Sequence, residues 1–411
     1  MKPLGEARTA VLGAVKRLGP ETIELADARG RVLAADVQAR EAIPPFPNSA
    51  MDGYAVRGVD VRNEGAMLRV VGEIAAGRPA DRPVEAGEAM TIMTGAPMPA
   101  GADTVVRVED SERLDDVVKV LVAVETATSV RLAGSDIPEG ATVFGKGERI
   151  HETHLGVLAT VGAARPSVSR RPRVALFSTG DELAAPSTAA LRPGQIRDSN
   201  RVMLRALLAD VAIVLDQGIV VDDPVALRAS FSRAAAGADA IVTSGGVSMG
   251  DHDHVRRILG DMGSIDFWKV AMKPTKPFAF GHLGGGRFFG LPGNPVSGFI
   301  AFEQIVRPAL LEMQGASRLL RPLVRAVAGA QISSDPKRLE FVRVGLELRE
   351  RGRLVATPSG GQGSHMLAAL AAADGFAHVP VGEDTVQAGQ GIDVELFPNP
   401  QTRGWAGDTR R

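Results

Sequence analysis

The sequence predicts a multidomain α/β plus β protein, and three observations predict it. At 411 residues, against about 100–200 per domain, the chain has length for two to four domains. Between residues 172 and 315, strand-like apolar runs alternate with helical ones, as in a parallel-dominated sheet with helices on both faces. On either side, from about residue 45 and again beyond Pro322, short apolar stretches are separated by Gly, Pro and Asp, the texture of small β-rich units.

The elements follow in order. Leu4, Ala7, Val11, Ala14, Val15 and Leu18 fall at helical spacing, and Gly19-Pro20 ends that pattern. Leu68–Val71, Met90–Met93 and Val117–Val122 read as strands of a β-rich unit that closes near Gly147. In the central span Val174–Ser178, Ala212–Leu215 and Ala240–Thr243 read as strands, with helices over Asn200–Leu208 and Pro224–Ala236. Residues 288–291 form a further strand, broken by Pro292-Gly293-Asn294-Pro295 and followed by a helix over Phe299–Met313. Leu339–Leu348 and Leu354–Thr357 flank a turn at Arg351-Gly352. A Gly-rich loop, Ser359–Gly363, leads to a short helix expected to be capped by Ser364.

Composition removes several classes of function. Lys plus Arg total 47 against 48 for Asp plus Glu, so no global basic field attracts nucleic acid or an anionic membrane. No apolar run approaches the roughly 20 residues of a membrane span, and Met1–Glu6 lacks a signal-peptide core, so a cytoplasmic protein is expected. Cysteine is absent, which excludes disulfides, thiolate metal sites and cysteine nucleophiles.

Chemistry concentrates in the α/β span. The loop at 290–295 aims rigid backbone and a helix N-terminus outward from a strand end, where N–H groups and the helix dipole favour an anion. Three further loops bring carboxylates to the same edge: Ser178-Thr179-Gly180-Asp181-Glu182, Asp222-Asp223, and Gly245-Gly246-Val247-Ser248-Met249-Gly250-Asp251-His252-Asp253. Hard oxygens beside glycine-exposed N–H groups suit Mg²⁺ together with a phosphate. Asp222 or Asp223 is equally suited to capping the helix at Pro224. Lys269, Lys273 and Lys276 are interleaved with apolar residues and prolines, which forbid helix and present the ammonium groups at fixed places. A compact cation so placed suits a tetrahedral oxyanion or phosphate, whereas a plain lysine run is a solvated face.

The β-rich unit adds two glycine-punctuated stretches, Pro47–Ala55 and Met93–Pro97, which on spacing alone read as turns; the chain's single tyrosine, Tyr54, lies in the first. His151 and His154 stand three apart with no third ligand nearby, and with His282 and His378 they read as surface histidines on connecting segments.

In this order the motifs resemble those of the molybdopterin molybdenumtransferases, the MoeA family, which includes the E domains of gephyrin and of the plant Cnx proteins. The likeness runs through residues 48–56, 92–97, 178–183, 244–250, 273–281 and 290–297, across nearly the whole chain. It implies four domains: an elongated segment from 1–44 with 147–171, an inserted β domain over 45–146, a molybdopterin-binding α/β domain over 172–315, and a C-terminal β-barrel over 316–411. It also implies an elongated homodimer with composite active sites, in which Asp52 and Thr94 complete the partner's cleft.

The implied reaction takes adenylated molybdopterin and molybdate, releases AMP with Mg²⁺, and leaves molybdenum on the dithiolene. Glu182, Asp222 and Asp253 match the acidic positions tied to metal and activity. Ser248, Lys273, Lys276 and Ser297 match positions that hold molybdate or the adjoining phosphate, with Gly245, Gly246, Lys269, Pro292, Asn294 and Pro295 in the same loops. Arg343 and Ser364 match positions that approach this cleft from the C-terminal domain. A molybdopterin adenylyltransferase and molybdoenzyme chaperones are the further partners implied, with no nucleic acid and no membrane. The chain departs from the family pattern at Thr275, where a β-branched residue is expected to narrow the oxyanion space, and at His252 and His254. The α/β span alone also resembles the adenylyltransferase that makes the adenylated substrate, and a non-catalytic scaffold is the remaining alternative.

Overall fold

The computed structural model describes residues 1–75, 77–246, 254–349 and 352–398. Helix α1 (Leu4–Ala14) opens the chain and buries Leu4, Ala7 and Val11. The helical spacing continues to Leu18, but Val15 is extended and the helix ends at Ala14. The cause is tertiary: the chain runs on beside the core, where the Leu18 N–H donates to the Met313 carbonyl at 2.7 Å. Short antiparallel ribbons then join 20–22 to 167–169 and 37–38 to 142–144.

Six strands between these ribbons form one mixed sheet: β1 (Gly53–Val56), β2 (Met67–Ile74), β3 (Glu88–Ile92), β4 (Thr104–Arg107), β5 (Ser111–Leu114) and β6 (Val117–Val120), in the order β4-β1-β3-β2-β6-β5. Tyr54 and Val56 face one core with Leu68, Val106 and Val118. Ala55 faces another with Ile74, Met90 and Ile92. The alternation is the period of two expected of a sheet covered on both faces. Helix α2 (Glu152–Thr160) follows.

The central sheet contains β7 (Arg173–Thr179), β8 (Ile213–Val220), β9 (Ala240–Ser244), β10 (Gly263–Lys269), β12 (Pro277–Leu283) and β13 (Gly286–Leu291), ordered β8-β7-β9-β13-β12-β10. The two-residue strand β11 (Met272–Lys273) leaves it to join the C-terminal sheet. Helices α3 (Ser199–Ala209), α4 (Pro224–Gly237) and α5 (His254–Met262) make the crossovers. Strands β7 and β9 are buried apart from Arg173 and carry the apolar runs Val174–Phe177 and Ala240–Val242, as strands covered on both faces must. Val174 and Leu176 pack with Leu204, Leu208 and Phe289 on one face. Ala175 and Phe177 pack with Leu227, Phe231 and Phe288 on the other. Each fully buried phenylalanine contributes about 1.5–3 kcal/mol to the fold.

After β13 a continuous helical rod runs through α6 (Pro295–Ala301), a π-turn (Phe302–Val306) and α7 (Arg307–Met313). The π-turn buries Glu303 and Gln304. Gln304 accepts from Arg8 at 2.8 Å and donates to Glu395 at 2.8 and 2.9 Å, tying the first helix to the last strand.

The C-terminal sheet comprises β14 (Leu323–Ala328), β15 (Leu339–Arg349), β16 (Arg353–Pro358), β17 (Gly375–Val379) and β18 (Gly391–Leu396), with α8 (Leu367–Ala371) between β16 and β17. The order β15-β16-β14-β18-β17 closes through a β15–β17 pairing into a five-stranded barrel. The expected multidomain α/β plus β architecture is therefore present. Ser364 does not cap α8, which starts at Leu367 with Met366 at the cap position and no side-chain cap bond. The Ser364 carbonyl instead accepts the Val296 N–H at 3.1 Å. His282 and His378 lie within strands β12 and β17, not on connecting segments, and His378 is half-buried with Nε2 3.3 Å from the Glu395 carboxylate. Among the described residues no helix is long and apolar enough to cross a membrane.

Candidate functional site

Strands β7, β8, β9 and β13 run parallel, and β10 shares their direction because it and β13 both pair antiparallel with β12. The loops after Thr179, Val220, Ser244, Lys269 and Leu291 therefore leave one edge of the sheet, where open α/β sheets hold their ligands.

The acidic side of this edge is built around glycine. Gly180 has φ +146°, and a Cβ there would lie 2.4 Å from a Glu182 carboxylate oxygen, so only glycine lets that carboxylate fold back over the loop. Asp181 Oδ1 accepts the Asp222 N–H at 3.0 Å, joining two acidic loops. Asp223 takes the capping role, accepting from the Val225 and Ala226 N–H groups at 3.1 and 2.9 Å, which leaves the exposed Asp222 as the other carboxylate of its loop. Ser248 and Asp253 lie outside the described residues, as does the side chain of His254. Among the described residues no cluster of three or more His, Asp or Glu is disposed to hold a metal.

Gly245 and Gly246 have φ of +90° and +67°, and a Cβ at either would sit 2.7 Å from Thr179 O or Val255 Cγ2. Two residues not singled out in the sequence tie the strand ends at this edge to α3. Asn200 Nδ2 donates to Ser244 Oγ at 2.8 Å and to the Gly293 carbonyl at 2.7 Å, linking the β9 and β13 loops. Asp198, 1% exposed, caps α3 through the Arg201 N–H and accepts from Ser178 Oγ, both at 3.1 Å. An Asp ahead of a helical run is a legible cap; Asn200 has no local signal, because its partners are 44 and 93 residues away.

The basic side is the lysine loop. Lys269 ends β10 and is exposed, and the Val270 N–H donates to the Lys276 carbonyl at 2.9 Å, closing the loop. Lys276 is exposed, whereas Lys273 is half-buried and its Nζ lies 2.9 and 3.1 Å from the two oxygens of Glu340. Thr275 is fully buried, and its hydroxyl donates to the Ser297 carbonyl at 2.8 Å. Ser297 is also buried and donates to the Pro274 carbonyl at 3.2 Å, so these two hydroxyls brace the lysine loop against the start of α6. At that start Pro292 is buried, Asn294 is exposed at the cap position and Pro295 is the first helical residue.

The barrel closes over this side. Arg343 is fully buried; its Nη2 donates to the Gly361 and Gly363 carbonyls at 2.7 and 3.2 Å, while Nε and Nη1 have no partner. Burial pushes the guanidinium below its ordinary pKa, and Glu340 acts in the opposite sense. Two unsatisfied buried donors are costly without an acceptor. Ser364 is half-buried beside α6 through its backbone bond.

Asp52 and Thr94 come together with each other on the inserted sheet. Asp52 Oδ1 accepts the Thr94 N–H at 2.6 Å and its hydroxyl at 2.8 Å, and these bonds hold the carboxyl below the usual aspartate range. None of their described hydrogen bonds reaches the central sheet.

Three family descriptions match the chain in order: "MoeA N-terminal region (domain I and II)" over residues 2–162, "Probable molybdopterin binding domain" over 175–312, and "MoeA C-terminal region (domain IV)" over 325–397. The chain belongs to the molybdopterin molybdenumtransferase family. Among its relatives, the molybdopterin molybdenumtransferase of Haemophilus influenzae is 35% identical over 92% of this chain and 94% of its own length. Molybdopterin molybdenumtransferase 2 of Mycobacterium tuberculosis is 36% identical over 97% and 99%. The crystal structure of the molybdopterin biosynthesis MoeA protein from Pyrococcus horikoshii superposes with a TM-score of 0.84 at 27% identity, covering 97% of this chain and all of that one. The resemblance read from the motifs thus holds across the whole molybdenumtransferase fold. Its probable molybdopterin-binding region is the one that presents the loops described above.

Proposed function

We propose that the protein transfers molybdenum from molybdate to the dithiolene of adenylated molybdopterin, with Mg²⁺-dependent release of AMP, at the carboxyl-end edge of the central sheet. One observation carries the reading: an acidic loop pair, a glycine turn, a lysine loop and a helix N-terminus converge on that edge in a molybdenumtransferase chain. The functions divide by chemistry. Gly246 and, in the first turn of α6, Ser297 offer backbone N–H groups to phosphate, the Gly245 N–H being donated to the Leu291 carbonyl at 3.0 Å and the Val296 N–H to the Ser364 carbonyl. Lys273 and Lys276 offer compact ammonium groups to a small tetrahedral oxyanion. The donor set of Glu182 and Asp222, hard carboxylate oxygens on loops held together by the Asp181 contact, fits Mg²⁺, with Asp253 as the further candidate. Bound there, the ion would neutralise phosphate charge as the adenylyl–phosphate link is hydrolysed.

The protein acts as a homodimer in this reading. Asp52 fixes Thr94 on an exposed part of the inserted sheet, a prearranged pair for a neighbouring subunit's cleft.

The test is reconstitution. Purified protein given adenylated molybdopterin, Mg²⁺ and molybdate should release AMP and form molybdenum-bound dithiolene in equal amounts. With ATP and free molybdopterin it should consume no ATP. ATP-dependent adenylation without molybdenum transfer would move the assignment to an adenylyltransferase.

A further inference from the structure

We infer that Glu340, on the C-terminal barrel, is a positioning residue that aims Lys273 at the oxyanion. The inference rests on the proposed reading in which Lys273 meets molybdate. Strand β11 leaves the lysine loop to pair in parallel with β15, and the register sets Lys273 opposite Glu340. Both carboxylate oxygens engage the ammonium, at 2.9 and 3.1 Å, and the second also lies 3.3 Å from the Asp335 N–H. The Glu340 side chain is 5% exposed and that of Lys273 35%, so the carboxylate grips the ammonium from the protein side while the lysine retains access to solvent.

An ammonium has three donors. One is directed at Glu340 Oε2, with Oε1 in ion-pair contact, and the directions left for ligand oxygens are set by the barrel rather than by the flexible lysine stem. Holding a carboxylate this deep is unfavourable unless it is paired, and removal of Lys273 would leave it uncompensated. Lys276, three residues beyond the strand pairing, is exposed, and its side chain makes no hydrogen bond or ion pair among the described residues. The two lysines therefore differ in kind: one is aimed, the other supplies charge. The same strand carries Arg343, whose buried guanidinium feels the Glu340 charge, so the barrel's approach to the cleft is organised around this carboxylate.

The experiment measures single-turnover molybdenum insertion against molybdate concentration for Lys273→Ala, Glu340→Gln, Glu340→Asp and the Lys273→Ala/Glu340→Gln pair, each checked for an unchanged thermal unfolding profile. Glu340→Gln should raise half-saturating molybdate about ten-fold and change the saturated rate far less, because one of the two acceptors becomes a donor facing the ammonium. Glu340→Asp, charged but shorter, should recover only part of the loss. In the Lys273→Ala background, Glu340→Gln should add nothing further. Half-saturating molybdate that is unchanged or lower in Glu340→Gln, while Lys273→Ala raises it, overturns the positioning role and leaves the proposed function standing. An additive loss in the double variant overturns it too. If Lys273→Ala itself leaves the molybdate dependence unaltered, the placement of molybdate at Lys273 fails first. Should Glu340→Gln not fold, the Asp variant alone and in the Lys273→Ala background supplies the same comparison.

Discussion

An exposed ammonium on a proline-stiffened loop separates oxyanion binding from solvation, and Lys276 is that group. If it meets molybdate, it supplies a charge-assisted contact of about 1.5–3 kcal/mol, so Lys276→Ala should weaken molybdate use by roughly one to two orders of magnitude. Excess molybdate should then restore turnover, and Lys276→Arg should rescue poorly because a planar fork does not replace a compact ammonium. Initial rates against molybdate concentration check this; an unchanged dependence makes Lys276 a solvated side chain. Gly245→Ala should cost on the order of 1–3 kcal/mol in chemical denaturation, since it places a Cβ at positive φ and 2.7 Å from the Thr179 carbonyl. At this scale the sequence exposed the lysines and glycines through their proline and strand-end settings. It did not expose Glu340 or Asn200, because their partners are brought close only by strand docking and by the β9 and β13 loops. Thr275 was visible as a departure, but its burial depended on where the helix start lay.

Two adjacent aspartates show how an element divides labour. Asp223 caps α4 with two hydrogen bonds, so Asp223→Ala should lower stability by about 1 kcal/mol while leaving molybdenum insertion nearly intact. Asp222→Asn should do the reverse, lowering Mg²⁺-dependent AMP release with little change in stability. Denaturation midpoints and AMP yields on the same preparations separate the two, and equal losses of activity would remove the distinction. The sequence left either residue eligible for the cap; hydrogen-bond geometry alone assigns it. Strands were the most legible elements, because β7 and β9 are built on the apolar runs Val174–Phe177 and Ala240–Val242, covered on both faces. Helix ends were the least. The pattern of α1 continues past Ala14 because Val15 and Leu18 still pack on the core in extended chain. The start of α8 is displaced because Ser364 spends its carbonyl on α6.

At the level of the whole molecule, Arg170 joins the ribbon ending at Ser169 to the central sheet through Asp239, with contacts of 2.8 and 2.9 Å. Burial acts to raise the Asp239 pKa, but the Arg170 bonds and the Arg173 N–H outweigh it, so the folded value lies below the ordinary one. Its stabilisation is therefore complete above the ordinary aspartate range and is lost as pH falls through the depressed folded value. Thermal melts should show the Asp239→Asn deficit near neutral pH and its disappearance in that acid window; because Arg170 is partly exposed, the deficit should shrink with salt. The barrel and sheets were legible as textures, whereas the meeting of the Gly-rich loop with α6 was not, being a contact between units distant in sequence. In the proposed reaction each site is assembled at the carboxyl edge of one subunit's sheet with Asp52 and Thr94 from the other. The most direct test is molybdenum insertion by mixed dimers of Asp52→Asn and Lys273→Ala subunits, with composition verified by native mass spectrometry. Each parent should be nearly inactive, and the mixed dimer should recover one working site, about half of the wild-type yield per dimer; mixed dimers as inactive as either parent would contradict the account.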